Sequence, residues 1–239
     1  MLIIPNFLRL PNYIMSDIFY WTRISDRIIA MDKKNDKGFD KGLNRIIPLP
    51  KVISIKEIKR FINIHEIGVV HQLNSSPSLQ TACDLLSKFA QSKEANHRFS
   101  IRLILNEAEK PIISDLPKNN QAYAIEPQKD GLMLIGNTHI GLLYAALTLS
   151  QIVGNPREAE IDVPIMRVID FPDISERGQW GGNSASDIEW THQWKLNVVE
   201  SSAGLGVDEN GKALVNISRD LIQQGMEFGV KIVPFIPPD

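Results

Sequence analysis

Apolar residues recur at three- and four-residue spacing after Ser76-Pro77, and this period predicts an amphipathic helix. Serine is a typical N-cap residue and proline is favoured at the first helical position. We therefore expect the helix to begin at Pro77 and to end near Ser92. Its buried stripe is predicted to contain Leu79, Cys83, Leu86 and Phe89. Cys83 is interpreted as a small core residue rather than a reactive thiol.

β-Rich and alternating segments predict a sheet next to that helix. Residues 45–50 are expected to form an edge strand or a strand end, because they contain two prolines. Residues 100–105 and 122–126 are predicted strands. Asp130-Gly131 then turns the chain into a hairpin with residues 132–135.

A second predicted helix follows the hairpin. Asn137 or Thr138 would cap its start, a wide apolar face follows, and Gly154 begins a Gly-Asn-Pro stop. Residues 45–168 are therefore expected to form an α+β domain. Its sheet is predicted to be mostly antiparallel, with two helices on one face.

The pattern changes after Pro172 to strand, helix, strand, helix, strand, which is the alternation of a parallel α/β unit. The predicted elements are a strand at 178–182, a helix from a capping box at 186–189 to about Lys195, a strand at 196–201 and a turn at 208–211. A helix capped by Ser218 then runs to Phe228 and is ended by Gly229, and a strand follows at 231–236. A TIM barrel needs eight strands and about 250 residues. Residues 169–239 are therefore expected to be the first three strands of a truncated TIM barrel.

Composition narrows the class of protein. The 239 residues are 43% hydrophobic and 23% charged, with a formal net charge of −2, which excludes a disordered chain and gives no basic footprint for nucleic acid. One cysteine excludes a disulfide scaffold. No uncharged apolar run approaches the roughly 18 residues of a transmembrane helix, so no membrane partner is expected. Residues 1–44 are a segment of uncertain role, in which Pro5 interrupts the apolar start that a secretory signal needs, and no compartment is assigned.

Short segments along the chain carry a family likeness. Residues 46–51 (IIPLPK), 122–125 (AYAI), 131–136 (GLMLIG) and 141–151 (GLLYAALTLSQ) resemble the accessory domain that precedes the barrel in glycoside hydrolase family 20, the β-N-acetylhexosaminidases. Residues 170–173 (DFPD) and 177–178 (RG) resemble the junction into that barrel, 195–197 (KLN) its first helix and second strand, and 232–237 (IVPFIP) its third strand. The likeness covers about residues 45–239.

This resemblance implies an enzyme that hydrolyses glycosidic bonds. In the family an adjacent Asp-Glu pair at the end of the fourth strand is catalytic, and the substrate's own acetamido group replaces the enzyme nucleophile. We expect no counterpart of that pair in this chain, which should be inactive alone. The family tends to carry His and Asp on the second strand, where this chain has Val198 to Ser202. This departure from the family pattern argues against specificity for N-acetylhexosamines in particular. Alternatives are a carbohydrate-binding or interaction module, an inactive gene fragment, and a related hydrolase of the α-glucuronidase type.

Three residues are predicted to bind a sugar, because barrel active sites form at the C-terminal ends of strands. The resemblance assigns Arg177 to sugar hydroxyls, which a guanidinium can hold in pairs, and the alternative is an ion pair with Asp170 or Asp173. Trp180 is expected to stack on a sugar ring or to pack between the two domains. Glu200 is expected to bind sugar hydroxyls or to act in acid–base chemistry, or else to be a solvated carboxylate.

Other candidate groups are interpreted as structural. Trp190 and Trp194 lie four residues apart and are predicted to be core, and His192 is predicted to be structural or at the surface. His65 and His71 have no metal-ligand companions in register. The Gly204-Leu205-Gly206 motif lacks the third glycine of a dinucleotide site. We therefore expect no metal and no cofactor.

Overall fold

The computed structural model describes residues 46–61, 63–92, 97–107, 109, 111–154, 161–181 and 185–236. Expectations for residues 1–45 lie outside the described residues, as do the glycine at 182 and the segment 237–239. The strands are β1 (Val52–Phe61), β2 (Ile67–Val70), β3 (Phe99–Leu105), β4 (Tyr123–Gln128), β5 (Gly131–Gly136), β6 (Ile161–Asp170), β7 (Gly178–Gln179), β8 (Val198–Ser202), β9 (Gly204–Val207), β10 (Ala213–Asn216) and β11 (Lys231–Phe235). The helices are α1 (Pro77–Ser87), α2 (His139–Val153), α3 (Ile188–Gln193) and α4 (Arg219–Phe228).

Six strands form a mixed sheet in the order β1-β6-β4-β5-β3-β2. The neighbours β1-β6, β6-β4 and β4-β5 are antiparallel, whereas β5-β3 and β3-β2 are parallel. The predicted hairpin is present as β4-β5, with Gln128 opposite Gly131. The α+β class is therefore confirmed, with a more mixed sheet than the expected one.

Helices α1 and α2 pack against each other, and α2 also lies on strands β3 to β6. Ser76 caps α1 by accepting a hydrogen bond from the Leu79 amide, and Thr138 caps α2 in the same way. The opposite face of the sheet is covered by Ile113 and Leu116 from the long β3-β4 connection. The sheet therefore has apolar cover on both faces.

Three expectations for this part of the chain are wrong in detail. Helix α1 ends at Ser87, a turn earlier than expected. Ala82, rather than Cys83, takes the fully buried helical position, and Cys83 is half-buried. The described residues 46–50 form no strand, and the first strand begins only at Val52; the two prolines at 48 and 50 cannot donate ladder hydrogen bonds.

A second sheet contains β7, β8 and β11, which are parallel and lie side by side in chain order. Helix α3 connects β7 to β8, and the β9-β10 hairpin with α4 connects β8 to β11. Ile188, Val199 and Val230 form its small core. The predicted alternation of strands and helices is confirmed, and the β9-β10 hairpin is an additional element around the predicted turn.

Local capping sets the bounds of α3 and α4. Asp187, rather than Ser186 of the predicted capping box, is the N-cap of α3 and accepts from the Trp190 amide at 2.7 Å. Helix α3 ends at Gln193, before the expected Lys195. Ser218 caps α4, and Gly229 ends it in the left-handed conformation with a φ of 66°. Among the described residues, no helix has the length and apolarity needed to span a membrane.

Candidate functional site

The C-terminal ends of the parallel strands bring together two of the three predicted sugar-binding residues. Trp180 directly follows β7, and Glu200 lies on β8, next in register after the pairing of Gln179 with Val199. The Gly181 amide donates to Glu200 Oε2 at 3.0 Å, which holds the carboxylate beside the end of β7. Trp180 is 75% exposed, so its ring does not pack between the two sheets. The arrangement offers an open aromatic ring next to a half-buried acceptor.

The third predicted residue, Arg177, lies elsewhere. It precedes β7, and its carbonyl oxygen accepts from the Asn197 and Val198 amides, at the start of β8. Arg177 is therefore at the N-terminal ends of the parallel strands, and the structure does not bring it to Trp180 and Glu200. The expectation that Arg177 follows the strand is wrong, because β7 begins at Gly178, which is also where the sequence predicts the strand to begin.

The guanidinium of Arg177 connects three backbone or side-chain acceptors. It donates to the Ile174 carbonyl at 2.6 Å, the Lys195 carbonyl at 2.7 Å and Gln121 Oε1 at 2.8 Å. Neither of the ion pairs considered for it is formed. Asp170 pairs with Lys195, and Asp173 pairs with Lys51.

A buried polar cluster lies where the two sheets meet. The Lys195 ammonium, 3% exposed, donates to Tyr123 OH at 2.7 Å and to Asp170 Oδ2 at 3.1 Å. Tyr123 OH also donates to Asp170 Oδ2 at 3.0 Å, so the Thr148 hydroxyl, 2.6 Å away, is the donor to the Tyr123 oxygen. We call these four residues the junction cluster.

The Lys195 side chain enters the buried cluster from an unusual backbone conformation. It follows the last turn of α3 in a left-handed conformation with a φ of 54°, which is costly for a side chain other than glycine. Burial lowers the pKa of its ammonium, and the Asp170 carboxylate opposes that shift. Burial also raises the pKa of Tyr123 well above its ordinary value, so the phenol stays protonated as a donor.

The side chains of His192 and Tyr144 are buried near the junction cluster, and both have polar atoms without a hydrogen-bond partner among the described residues. Neither ring nitrogen of His192 has a hydrogen-bond partner among the described residues, and burial lowers the pKa of His192 to about 4. The Tyr144 hydroxyl also forms no hydrogen bond of suitable distance and angle there; burial raises its pKa to about 12, and the nearby Arg177 guanidinium opposes that shift. The His192 ring packs on the ring of Phe228, with centroids 5.5 Å apart. His192 is therefore a structural residue, one of the two roles considered for it.

The tryptophans of α3 differ from their prediction. Trp190 and Trp194 are 41% and 38% exposed, with ring centroids 5.7 Å apart, so the expectation that they are core is wrong. The physical reason is the phase of the helix, because Ile188, Thr191 and His192 occupy its buried face. Residues two and six positions after Ile188 then point away from the core.

The described residues contain no group of three or more His, Cys, Asp or Glu side chains that could hold a metal ion. Gly204-Leu205-Gly206 is part of β9 in an exposed hairpin, rather than a loop before a helix. Asp208 closes that hairpin by accepting from the Asn210 and Lys212 amides at 2.9 and 2.8 Å, as the predicted turn requires. Burial and the neighbouring Asp84 raise the pKa of the Cys83 thiol, which favours the unreactive form.

Sequence reasoning missed the junction cluster. Lys195 was visible only as part of the KLN segment, and Asp170 only as part of the DFPD segment. The remaining signal was a lysine directly after a short helix, which is ordinarily a solvated position. Nothing in the local pattern connects it to Tyr123, 72 residues earlier in the chain.

Comparison with known proteins gives a likeness of fold. No protein-family model and no curated protein sequence matches the chain. The chain is similar to a family 20 exo-β-N-acetylglucosaminidase from Vibrio harveyi, solved with N-acetylglucosamine, at 15% identity and a TM-score of 0.58 over 80% of this chain and 35% of that one. It is also similar to a Flavobacterium johnsoniae chitobiase of family 20, at 15% identity and a TM-score of 0.55 over 80% of this chain and 34% of that one.

A third similar structure is CpGH84D, at 13% identity and a TM-score of 0.59 over 80% of this chain and 37% of that one. The chain thus spans between 34% and 37% of the length of these three proteins. At this identity the likeness concerns the fold alone. The chain has a glycoside hydrolase-like fold, as the family resemblance of its sequence implied.

Proposed function

We propose that this chain forms the N-terminal part of a glycoside hydrolase related to the β-N-acetylhexosaminidases. Residues 45–168 would be the accessory domain, and residues 169–239 the first three strands of a (β/α)8 barrel. One observation carries the proposal: β7, β8 and β11 are parallel, adjacent and in chain order, directly after a mixed α+β sheet. The similar structures, which extend over 80% of this chain, support it.

In this proposal the substrate is a carbohydrate that binds at the C-terminal ends of the strands. Trp180 presents an exposed ring on which the C–H face of a sugar can stack. Glu200 accepts hydrogen bonds from sugar hydroxyls, with its orientation fixed by the Gly181 amide. The role of Arg177 in sugar binding stays a prediction, and its hydrogen bonds to Ile174 and Lys195 favour an action through the backbone around β7.

The chemical step needs two acidic groups or one acid and a substrate acetamido group. We propose no catalytic residue within this chain, because the Asp-Glu pair of the family belongs to a fourth strand. Asp173 and Glu176 are not substitutes, since both are exposed at the junction and paired with Lys51 and Lys231.

The test is hydrolysis of chromogenic aryl glycosides by the 239-residue chain and by a version extended through a complete barrel. We expect release of the chromophore by the extended protein alone, with N-acetylglucosaminide among the sugars tested. Trp180→Ala in the extended protein should raise KM at least about tenfold, because a stacking contact is removed. Hydrolysis by the 239-residue chain would contradict the assignment of the catalytic pair to a fourth strand. If neither protein hydrolysed any of the glycosides, the proposal of a glycoside hydrolase would be wrong.

A further inference from the structure

At the start of β8, the side chain and backbone of Asn197 connect separate segments of the second sheet. Asn197 Oδ1 accepts a hydrogen bond from the Arg177 amide at 2.8 Å, and its Nδ2 donates to the Ser175 carbonyl at 2.8 Å. Its backbone amide donates to the Arg177 carbonyl at 2.7 Å, and its own carbonyl accepts from the Lys231 amide at 2.8 Å. One residue therefore binds both the segment before β7 and the start of β11.

The two side-chain contacts of Asn197 require a carboxamide. The Arg177 amide is a donor and the Ser175 carbonyl is an acceptor, so the side chain between them must offer both an acceptor and a donor. Aspartate, which has the same shape, lacks the donor, and leucine lacks both groups. The chemistry of Asn197 thus matches the two backbone groups that it binds.

Strand β7 is too short to fix its own register against β8. The two strands pair at two positions, Gly178 opposite Val198 and Gln179 opposite Val199, and neither residue of β7 is fully buried. A strand register is strongly specified only where one face of the strand is buried. We infer that the hydrogen bonds of Arg177, directly before β7, decide which residues lie opposite β8.

Gly178 excludes the neighbouring registers of β7. A Cβ atom at this position would overlap the Val198 carbonyl oxygen, so the backbones of β7 and β8 approach each other more closely than a side chain would allow. If β7 moved by one residue in either direction, the side chain of Arg177 or Gln179 would take that place. Asn197 and Gly178 therefore specify the same register, the first by hydrogen bonds and the second by exclusion.

The register of β7 determines what lies beside Glu200. Trp180 follows β7 directly, and the Gly181 amide donates to Glu200 Oε2 at 3.0 Å. We call Trp180, Gly181 and Glu200 the strand-end site. A shift of β7 by one residue would move the Gly181 amide by about 3.3 Å along the strand, which is enough to break that hydrogen bond.

We propose that Asn197 is a positioning residue, whose carboxamide fixes the register of β7 and thereby places Trp180 and the Gly181 amide beside Glu200. Its side chain binds the backbone of residues 175 and 177, so it acts on the strand-end site through β7. The use of that site for a saccharide rests on the proposed function, whereas the positioning does not.

The test measures the contact between Gly181 and Glu200 in the 239-residue chain by nuclear magnetic resonance. Glu200→Ala removes the acceptor and should therefore move the amide proton signal of Gly181. In an Asn197→Ala background the same change at Glu200 should move that signal by less than about half as much, because the contact is already lost. Asn197→Ser, whose side chain is too short for both contacts, should give the same result and serves where Asn197→Ala does not fold.

Two control variants separate positioning from a general loss of stability. Asn197→Asp keeps the acceptor for the Arg177 amide and should retain most of the Gly181 response to the loss of the Glu200 side chain. Val230→Ala removes apolar contacts from the small core of the same sheet but no hydrogen bond of the Asn197 side chain, and it should retain that response as well.

A second measurement follows the indole N–H signal of Trp180, assigned with Trp180→Phe, while triacetylchitotriose is titrated. For the parent chain we expect a Kd of about 1–10 mM, and Asn197→Ala should raise it at least about fivefold. Asn197→Asp and Val230→Ala should leave the Kd within about twofold of the parent value.

Three results would overturn this inference. The first is a Gly181 signal that responds to Glu200→Ala as strongly in the Asn197→Ala chain as in the parent. The second is an equal loss of that response in Val230→Ala, because any loss of stability would then have the same effect. The third is saccharide affinity unchanged by Asn197→Ala. If the Gly181 results are as expected but Trp180 responds to no saccharide even in the parent, the saccharide site of the proposed function is wrong and the positioning by Asn197 stands.

Discussion

At the scale of single residues, Lys195 has the largest consequences. Its ammonium is the only cation in the junction cluster, and it satisfies both Asp170 and Tyr123 away from solvent. Removing one partner of a buried pair leaves the other charge without compensation, which costs more than the pair contributes. The exposed pair of Lys231 and Glu176, with side chains 63% and 62% exposed, offers a direct contrast.

We expect Lys195→Met to lower the free energy of unfolding by about 3–5 kcal/mol, because the buried Asp170 side chain loses the ammonium that pairs with it. Lys231→Met, the matched control, should lower it by less than about 1 kcal/mol. Urea denaturation at pH 7 measures both. The double variant Lys195→Met/Asp170→Asn should lose less than the sum of the two single variants. Equal losses for Lys195→Met and Lys231→Met would show that the junction cluster has no special role.

At the scale of elements, α3 and α4 depend on a neutral His192. Its ring lies against Phe228 of α4, and burial holds its pKa at about 4. An unfolded histidine has a pKa of about 6.5, so between these values the unfolded state binds more protons. Stability is therefore complete above pH 6.5 and falls as the pH decreases towards 4.

From this shift we expect His192 to reduce the free energy of unfolding by about 2 kcal/mol between pH 7.5 and pH 5. His192→Phe should remove that part of the pH dependence, since phenylalanine does not titrate. His71→Gln, at an exposed histidine, is the control and should retain it. Denaturant titrations at the two pH values test this. A His192→Phe variant with the full pH dependence would refute the assignment.

The elements also separate what the sequence pattern can predict from what it cannot. Helix ends are predicted by local capping chemistry, and the predictions are confirmed at four positions: Ser76, Thr138, Ser218 and Gly229. Strand β1 gave no such signal. A bulge between Ile55 and Glu57 changes its alternation, so that Ile53, Ile55 and Ile58 lie on one face although their spacing is not a multiple of two.

The candidate site divides in the same way. The parallel order of β7, β8 and β11 follows from the alternation of strands and helices, and it places Trp180 and Glu200 at one edge. The place of Arg177 before β7 is implied by the predicted bounds, because the predicted strand at 178–182 and β7 both begin at Gly178. The exposure of Trp190 and Trp194 depends on which face of α3 is buried, and that face contains Ile188, Thr191 and His192. The sequence pattern also did not indicate that the N-cap is Asp187 rather than Ser186.

At the scale of the whole molecule, Arg177 and the junction cluster join the two sheets. Arg177 connects Gln121, just before β4, to Lys195, just before β8. Hydrogen bonds from a charged donor are worth more than neutral ones, and three of them converge on this side chain.

Arg177→Ala is expected to lower the free energy of unfolding by about 2–3 kcal/mol, because three acceptors lose their donor. Arg177→Lys should recover less than half of that loss, since an ammonium lacks the planar fork. The control is Arg219→Ala, at an exposed position at the start of α4, which should change stability by at most about 0.5 kcal/mol. Thermal unfolding compares all three. An Arg177→Ala protein as stable as the parent would mean that this connection is not needed.

The strand order of the mixed sheet has a kinetic consequence. Strand β1 is made first but pairs along its length with β6, the last strand of that sheet to be synthesised. Pairing between strands far apart in the sequence slows folding, because the entropy cost of closing the intervening chain comes before the stabilising contacts form. During synthesis β1 therefore has no partner strand until β6, which ends at Asp170, has left the ribosome. In that interval its unpaired backbone groups make the nascent chain prone to aggregation.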